Sequence, residues 1–171
     1  MSNCCFFSAE IDFGNSAERA KFFKKIYNDI KNIDKYEGLF IGSEERYLLD
    51  PAIRCATDKD NVVYLNGWVA WALEHNEMIE VTDYFKTIAK IKKIDIEYEE
   101  LMCDIIGKYV FENNVITDYY LTSKQIADVY YKHPYSKDEN DGNDEMLEDY
   151  HKKLYEELKN NPTVFVVRSA K

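Results

Sequence analysis

The stretch "KIDIEYEELMCDIIGKYVFENN", residues 93–114, gathers Asp95, Glu97, Glu99 and Glu100 in one short run, with Cys103 close behind. Carboxylates so grouped can bind a divalent cation. They can also divide acid and base roles when their surroundings push their pKa values apart. A small metal-dependent hydrolase would draw on Glu97, Glu99 and a histidine. A solvated strand face produces the same pattern. Ile94, Ile96 and Tyr98 alternate with Asp95, Glu97 and Glu99, which is the two-residue period of a strand with one wet face. The expectation is therefore an acidic surface on a strand, available to a basic partner.

A second acidic group lies in "KDENDGNDEMLE", residues 137–148. Placing Gly142 at the sixth position of a calcium loop puts Glu139, Asp141 and Glu148 at positions three, five and twelve. Lys137 then occupies position one and cannot ligate calcium. The segment reads as an acidic loop, and Asp138, Glu139, Asp141, Asp144 and Glu145 join Asp95, Glu97 and Glu99 as candidate partner-binding residues.

Nucleophilic chemistry has less support. The cysteines are Cys4, Cys5, Cys55 and Cys103, with no CxxC pair, and the histidines are His75, His133 and His151. There is no G-x-S-x-G elbow, HExxH or phosphate-binding loop. Of the four thiols Cys103, at a turn between strands, is the best candidate for exposure, and core packing is the favoured expectation even for it. His75 is expected beside a helix cap, His133 before Pro134 and His151 within a charged helix. The chain thus offers no catalytic set, no metal site and no cofactor motif.

These residues must be positioned by a sizeable core. The 171-residue chain is 46% hydrophobic and 15% aromatic, enough apolar material for one folded domain. Its net charge of −10 opposes direct binding to nucleic acid and to anionic membranes, because phosphate contacts need Lys and Arg. The same charge permits a protein partner with a basic surface, including one that ordinarily holds nucleic acid. No basic segment followed by an apolar run opens the chain, and no apolar run approaches about 18 residues. Unpaired thiols point to a reducing cytoplasm.

"CCFFSAEIDF" alternates as a strand ending at Gly14. "NSAERAKFFKKIYNDIKNI" predicts a helix capped by Asn15 and Glu18, with Ala20, Phe23, Ile26 or Tyr27, and Ile30 on its apolar stripe. Residues 35–60 hold a weak strand signal and a turn at Asp50–Pro51. "NVVYLNGWVAWAL" predicts a strand with a bulge or close approach at Gly67. Either Trp68 or Trp71 is expected in the core. "NEMIEVTDYFKTIAKIKK" predicts a helix capped at Asn76, with Met78, Val81, Phe85, Ile88 and Ile91 or Ile94 as its stripe and Lys90, Lys92 and Lys93 near its negative end. A β-meander follows over about 94–122, turning at Asn113–Asn114. Ser123 caps a further helix. A last helix buries Leu147, Tyr150 or His151, Leu154 and Leu158, and "TVFVV" predicts a short final strand.

The order β, α, weak β, β, α, β predicts an α+β fold containing a ferredoxin-like βαββαβ split unit. The added meander and a C-terminal helical extension ending in a short strand complete it. Residues 1–122 form the ferredoxin-like part, and 123–171 pack on it without forming an independent domain.

Three segments carry a family resemblance: "MSNCCFFSAEIDFG", "NGWVAWALEHNEMIEVTDYF" and "IEYEELMCDIIGKYVFEN". Over roughly residues 1–120 the chain resembles the ferredoxin-like phage and plasmid proteins typified by YubB. The likeness lies in the opening Met, small residue, Asn and Cys, in the strand and tryptophan before a helix, and in the Tyr-Glu-Glu hairpin. Cys4 stands where that family has an aromatic, "ELMCDIIG" has fewer glycines, and "ALEHNE" lacks prolines. The family carries no assigned activity. The resemblance implies a fold and a mobile-element setting, and no catalytic residue. Together with the charge it leads to the expectation of a non-enzymatic inhibitor or modulator of a host protein, in concrete form an anti-defence (anti-CRISPR-like) inhibitor or nucleic-acid mimic. A structural or assembly protein is the blander alternative.

Overall fold

The computed structural model describes residues 4–31, 39–41, 47–49, 54–55, 60–70, 75–100, 105–134 and 144–168. Its elements run β1 (Cys4–Asp12), α1 (Ser16–Lys31), β2 (Leu39–Ile41), β3 (Tyr47–Leu49), β4 (Arg54–Cys55), β5 (Val62–Ala70), α2 (His75–Ile88), β6 (Lys93–Glu100), β7 (Ile105–Glu112), β8 (Val115–Tyr120), α3 (Ser123–Lys132), α4 (Asp144–Asn160) and β9 (Thr163–Arg168). The fold is α+β. One sheet takes the order β2-β3-β5-β1-β6-β7-β8-β9, with β4 also on β5. Every pairing in it is antiparallel.

Period two assigns the sheet faces. Cys5, Phe7, Ala9 and Ile11 of β1 point to a first face, beside Val63 and Leu65 of β5 and Ile94, Ile96 and Tyr98 of β6, and all are buried. Helices α1 and α2 cover that face through Phe22, Ile26, Met78, Val81 and Phe85. Phe22 is fully buried, with ring centroids 5.0 Å from Phe13 and 5.3 Å from Phe85. Burying one such side chain stabilises by about 2–3 kcal/mol. A second, smaller core sits on the opposite face, where Ile126 and Val129 of α3 and Tyr150, Leu154 and Leu158 of α4 pack with Ile106 of β7 and Leu121.

Several expectations shift by a residue or a turn. The buried side of α1 is Arg19, Phe22 and Ile26, while Ala20 is exposed and Tyr27 nearly half exposed. The aromatic trio fixes this rotation, and periodicity alone does not choose between adjacent stripes. Asn15 caps α1 as expected, accepting from the Glu18 N–H at 2.9 Å. The Glu18 carboxylate does not return to the cap; it accepts from the Lys90 N–H at 2.7 Å. Helix α2 starts at His75 and stops at Ile88, so Asn76 lies inside it and Lys90, Lys92 and Lys93 lie beyond it. Glu18 and Asp12 bind the following turn, which re-aims the chain into β6.

The cap of α3 is Thr122 in place of Ser123, in a capping box with Gln125. Leu147 is exposed, so the buried side of α4 begins at Tyr150. The β1–β5 register runs unbroken through Gly67, which makes no bulge. The hairpin turn at Asn113–Asn114 is as read, with φ of 52° and 61°. Asparagine tolerates that left-handed geometry, and two-residue hairpins require it. The Trp68 side chain, Trp71 and Cys103 lie outside the described residues.

One close approach is demanding. Tyr98 pairs with Gly107 across β6 and β7. A Cβ built at Gly107 would fall inside the Tyr98 phenol. Gly107→Ala is therefore expected to destabilise the protein by about 3 kcal/mol in urea unfolding. The same substitution in a Tyr98→Leu background should cost much less. Equal costs in the two backgrounds would refute this contact as the reason for the glycine.

Candidate functional site

Among the described residues, α3 and α4 cover the sheet's second face only toward its β7 end. Over β5, β1 and β6 it presents Phe6, Ser8, Glu10, Tyr64, Asn66, Asp95, Glu97 and Glu99. Two adjoining depressions mark this surface. One, of about 380 Å³, is lined by Phe6, Ser8, Asn66, Glu97, Glu99 and Tyr155. The other, of about 260 Å³, is lined by Ser8, Glu10, Tyr64, Asn66, Asp95, Glu97 and Lys108. They share Ser8, Asn66 and Glu97, so together they form one groove along the strands.

The alternation expected of β6 is observed. Ile94, Ile96 and Tyr98 are buried, and Asp95, Glu97 and Glu99 share the opposite face. Glu100 follows the buried phase and is 7% exposed. The three outward carboxylates are not equivalent. Lys93 Nζ stands 2.7 Å from Asp95 Oδ2, and Lys108 Nζ lies 3.5 Å from Asp95 Oδ1 and 3.7 Å from Glu97 Oε1. The Asp95 hydrogen bond holds the Lys93 ammonium above its ordinary pKa. Glu99 accepts a 2.6 Å hydrogen bond from the Tyr155 hydroxyl of α4. Burial, then that bond, push the Tyr155 phenol upward. Glu97, with its side chain 55% exposed, is the most accessible of the three.

The remaining acidic candidates are not brought to this face by any described contact. Asp138, Glu139 and Asp141 lie outside the described residues, and so does most of the calcium-loop reading. Asp144 and Glu145 lie at the start of α4, and their side chains are outside the described residues. Among the described residues no group of three or more His, Cys, Asp or Glu could hold a metal ion.

A second polar cluster, on the first face, had no counterpart in the reading of the sequence. Asp118 of β8 is 3% exposed. Its Oδ1 accepts from the Tyr98 hydroxyl at 2.9 Å, and its Oδ2 lies 3.6 Å from His75 Nδ1. The Tyr109 hydroxyl is 3.2 Å from the same His75 nitrogen. Tyr98 and Tyr109 stack at 5.0 Å, and Phe165 stacks on the His75 ring at 4.6 Å. Tyr98 reaches Asp118 only because Gly107, on the intervening strand, carries no side chain. The signal for this cluster was Asp118 in phase with Ile116, an acid in an apolar row. That signal carries meaning only once Tyr98 and Tyr109 are known to lie beside it.

Burial raises the Asp118 carboxyl to about 6, against the lowering effects of Tyr98, His75 and Tyr109. Burial and the nearby carboxylate also push the Tyr98 phenol upward, so it stays a donor. At mildly acidic pH the cluster can thus hold a proton on its buried acid, beside the half-exposed His75 ring. It ties the first residue of α2 to β8 and β9. Among the described residues no helix is long and apolar enough to cross a membrane.

Between the unfolded value near 3.8 and the folded value near 6 the folded chain binds a proton that the unfolded chain has released. This contribution to stability is complete below about pH 4 and is lost as pH rises through 6. Asp118→Asn keeps an oxygen for Tyr98 and removes the titration. The variant should therefore gain on the wild type between pH 4 and pH 7 by about 3 kcal/mol at most. Thermal unfolding across that range checks it, and a variant–wild-type difference independent of pH would refute the assignment.

Comparisons with protein-family models, with curated proteins and with solved structures found no match.

Proposed function

We propose that this chain is a non-enzymatic acidic binding protein that docks a basic protein surface on the open second face of β5, β1 and β6. The observation that carries the reading is the groove itself. It is concave, no described helix lies over it at this end, and it carries four carboxylates (Glu10, Asp95, Glu97 and Glu99) against Lys93 and Lys108. Acidic side chains with a few aromatic and amide neighbours suit a cationic protein surface, and opposite charge speeds encounter as well as fixing register. The overall charge of −10 acts in the same direction.

Asp95 and Glu97 have lysine partners of their own. The proposed partner exchanges its Lys or Arg side chains for Lys93 and Lys108. Such an exchange gives specificity and salt dependence more than raw affinity. The resemblance in residues 1–120 supplies the setting: a phage or mobile-element protein in the host cytoplasm, inhibiting or modulating a host protein. A nucleic-acid-binding host protein, such as a component of a defence system, is the partner class that an acidic mimic fits. The strand order β3-β5-β1-β6, with α1 and α2 on one face, supports assigning these elements to a ferredoxin-like split unit.

Affinity capture from host lysate at low and high salt tests this function. A stoichiometric basic protein should be retained at low salt and released at high salt. Glu10→Lys with Glu97→Lys should weaken its binding by at least about tenfold while leaving thermal stability nearly unchanged, since both side chains are exposed. Undiminished capture by that variant, or no salt-sensitive partner, would overturn the proposal.

A further inference from the structure

Among the described residues, strand β9 ends the sheet, with β8 on one side and no strand on the other. An edge strand presents a row of unpaired backbone donors and acceptors. Proteins that remain monomeric blunt such edges with lysine, proline, a bulge or an inward charge. None of these devices is present in Thr163–Val167. The segment "TVFVV" is uncharged, and its register with β8 is unbroken from Thr163 to Arg168. Three consecutive apolar residues stand in solvent: Val164 is 53% exposed, Phe165 49% and Val166 55%. They project to both faces of the sheet, so a helix lying on either face would cover only part of them. A further strand beside β9 contacts all three.

We infer that β9 pairs with β9 of a second copy of this chain, antiparallel about a two-fold axis, making a continuous sheet across a dimer. The Val164-Phe165-Val166 pattern, apolar and symmetric about Phe165, decides for a second copy. Two chains of −10 repel, and an encounter between them must occur where acid is absent. Residues 163–167 are such a place, with Arg168 as their one charged neighbour on the strand. The geometry is self-complementary. A two-fold axis through Phe165 sets Phe165 against Phe165, Val164 against Val166 and Thr163 against Val167. Residues that share a face then remain on it. This register uses the whole neutral segment and leaves Pro162, which has no N–H, outside the ladder. Identical apolar side chains, directly opposed, are a favourable cross-strand arrangement.

The dimer's salt response separates it from the acidic groove. Screening relieves repulsion between two acidic copies, so this association tightens as salt rises. Binding of a basic partner at the groove weakens under the same change. The two interfaces therefore stand or fall independently.

Analytical ultracentrifugation across about two decades of protein concentration reads the outcome directly. The wild type should pass from monomer to dimer and no further. Val164→Lys with Val166→Lys places like charges opposite one another in this register and should weaken self-association at least about tenfold. A second chain carrying Val164→Glu with Val166→Glu should also be monomeric alone. An equimolar mixture of the two variants should restore a dimer, which shows at once that both are folded and that β9 meets β9. Hydrogen exchange of the wild type gives a second measure, with β9 amides gaining protection as concentration rises. A wild type that stays monomeric throughout would overturn the inference. A dimer that persists in the lysine variant, or a mixture that does not associate, would do so as well.

Discussion

Strand β1 is the constraint on which the rest depends. It pairs along its length with β5 on one side and with β6 on the other. Its alternation sets the two faces of the central sheet. Cys5, Phe7, Ala9 and Ile11 require an apolar cover, and α1 and α2 supply it. Phe6, Ser8, Glu10 and Asp12 then face the other way. A slip of one residue would exchange the two sets and bury both carboxylates, so the register is strongly specified. Because β6 pairs with β1 in register, Asp95 is held opposite Glu10 and Glu97 opposite Ser8. The acidic groove is a consequence of that pairing.

The same core admits a polar cluster. Tyr98, Tyr109, Asp118 and His75 come from β6, β7, β8 and α2, and they hold one another's polar atoms within the apolar first face. Such a network is costly unless its members are satisfied, and it rewards one arrangement of strands over others. Gly107 is the space that makes the arrangement possible. A methyl group there would separate Tyr98 from Asp118 and leave a buried acid short of a donor. This small cluster thereby couples the start of α2 to the meander and, through Phe165, to the last strand.

The opposite face is built differently. Glu97 stays largely in solvent while Asp95 is mostly covered beside Lys93 and Lys108, and α4 reaches this face through the Tyr155 hydroxyl on Glu99. Rigid strands hold the groups at fixed spacing, while the exposed ion pairs themselves contribute little to stability.

Local chemistry made much of this legible. The outward phase of Asp95, Glu97 and Glu99, the turn at Asn113–Asn114 and the Asn15 cap each depend on residues a few positions apart. The sequence by itself therefore determined them. It also determined the excess of acid and the neutral, unguarded character of Thr163–Val167. Only the tertiary structure decided which stripe of α1 is buried, because Phe22 meets Phe13 and Phe85 from separate elements. It alone decided that Lys108 and Tyr155 attend the acids of β6, and that Asp118 sits beneath Tyr98. Those partners are brought together by strand order and helix packing. No short-range period reports them, since their energy arises from burial and contact between segments distant along the chain.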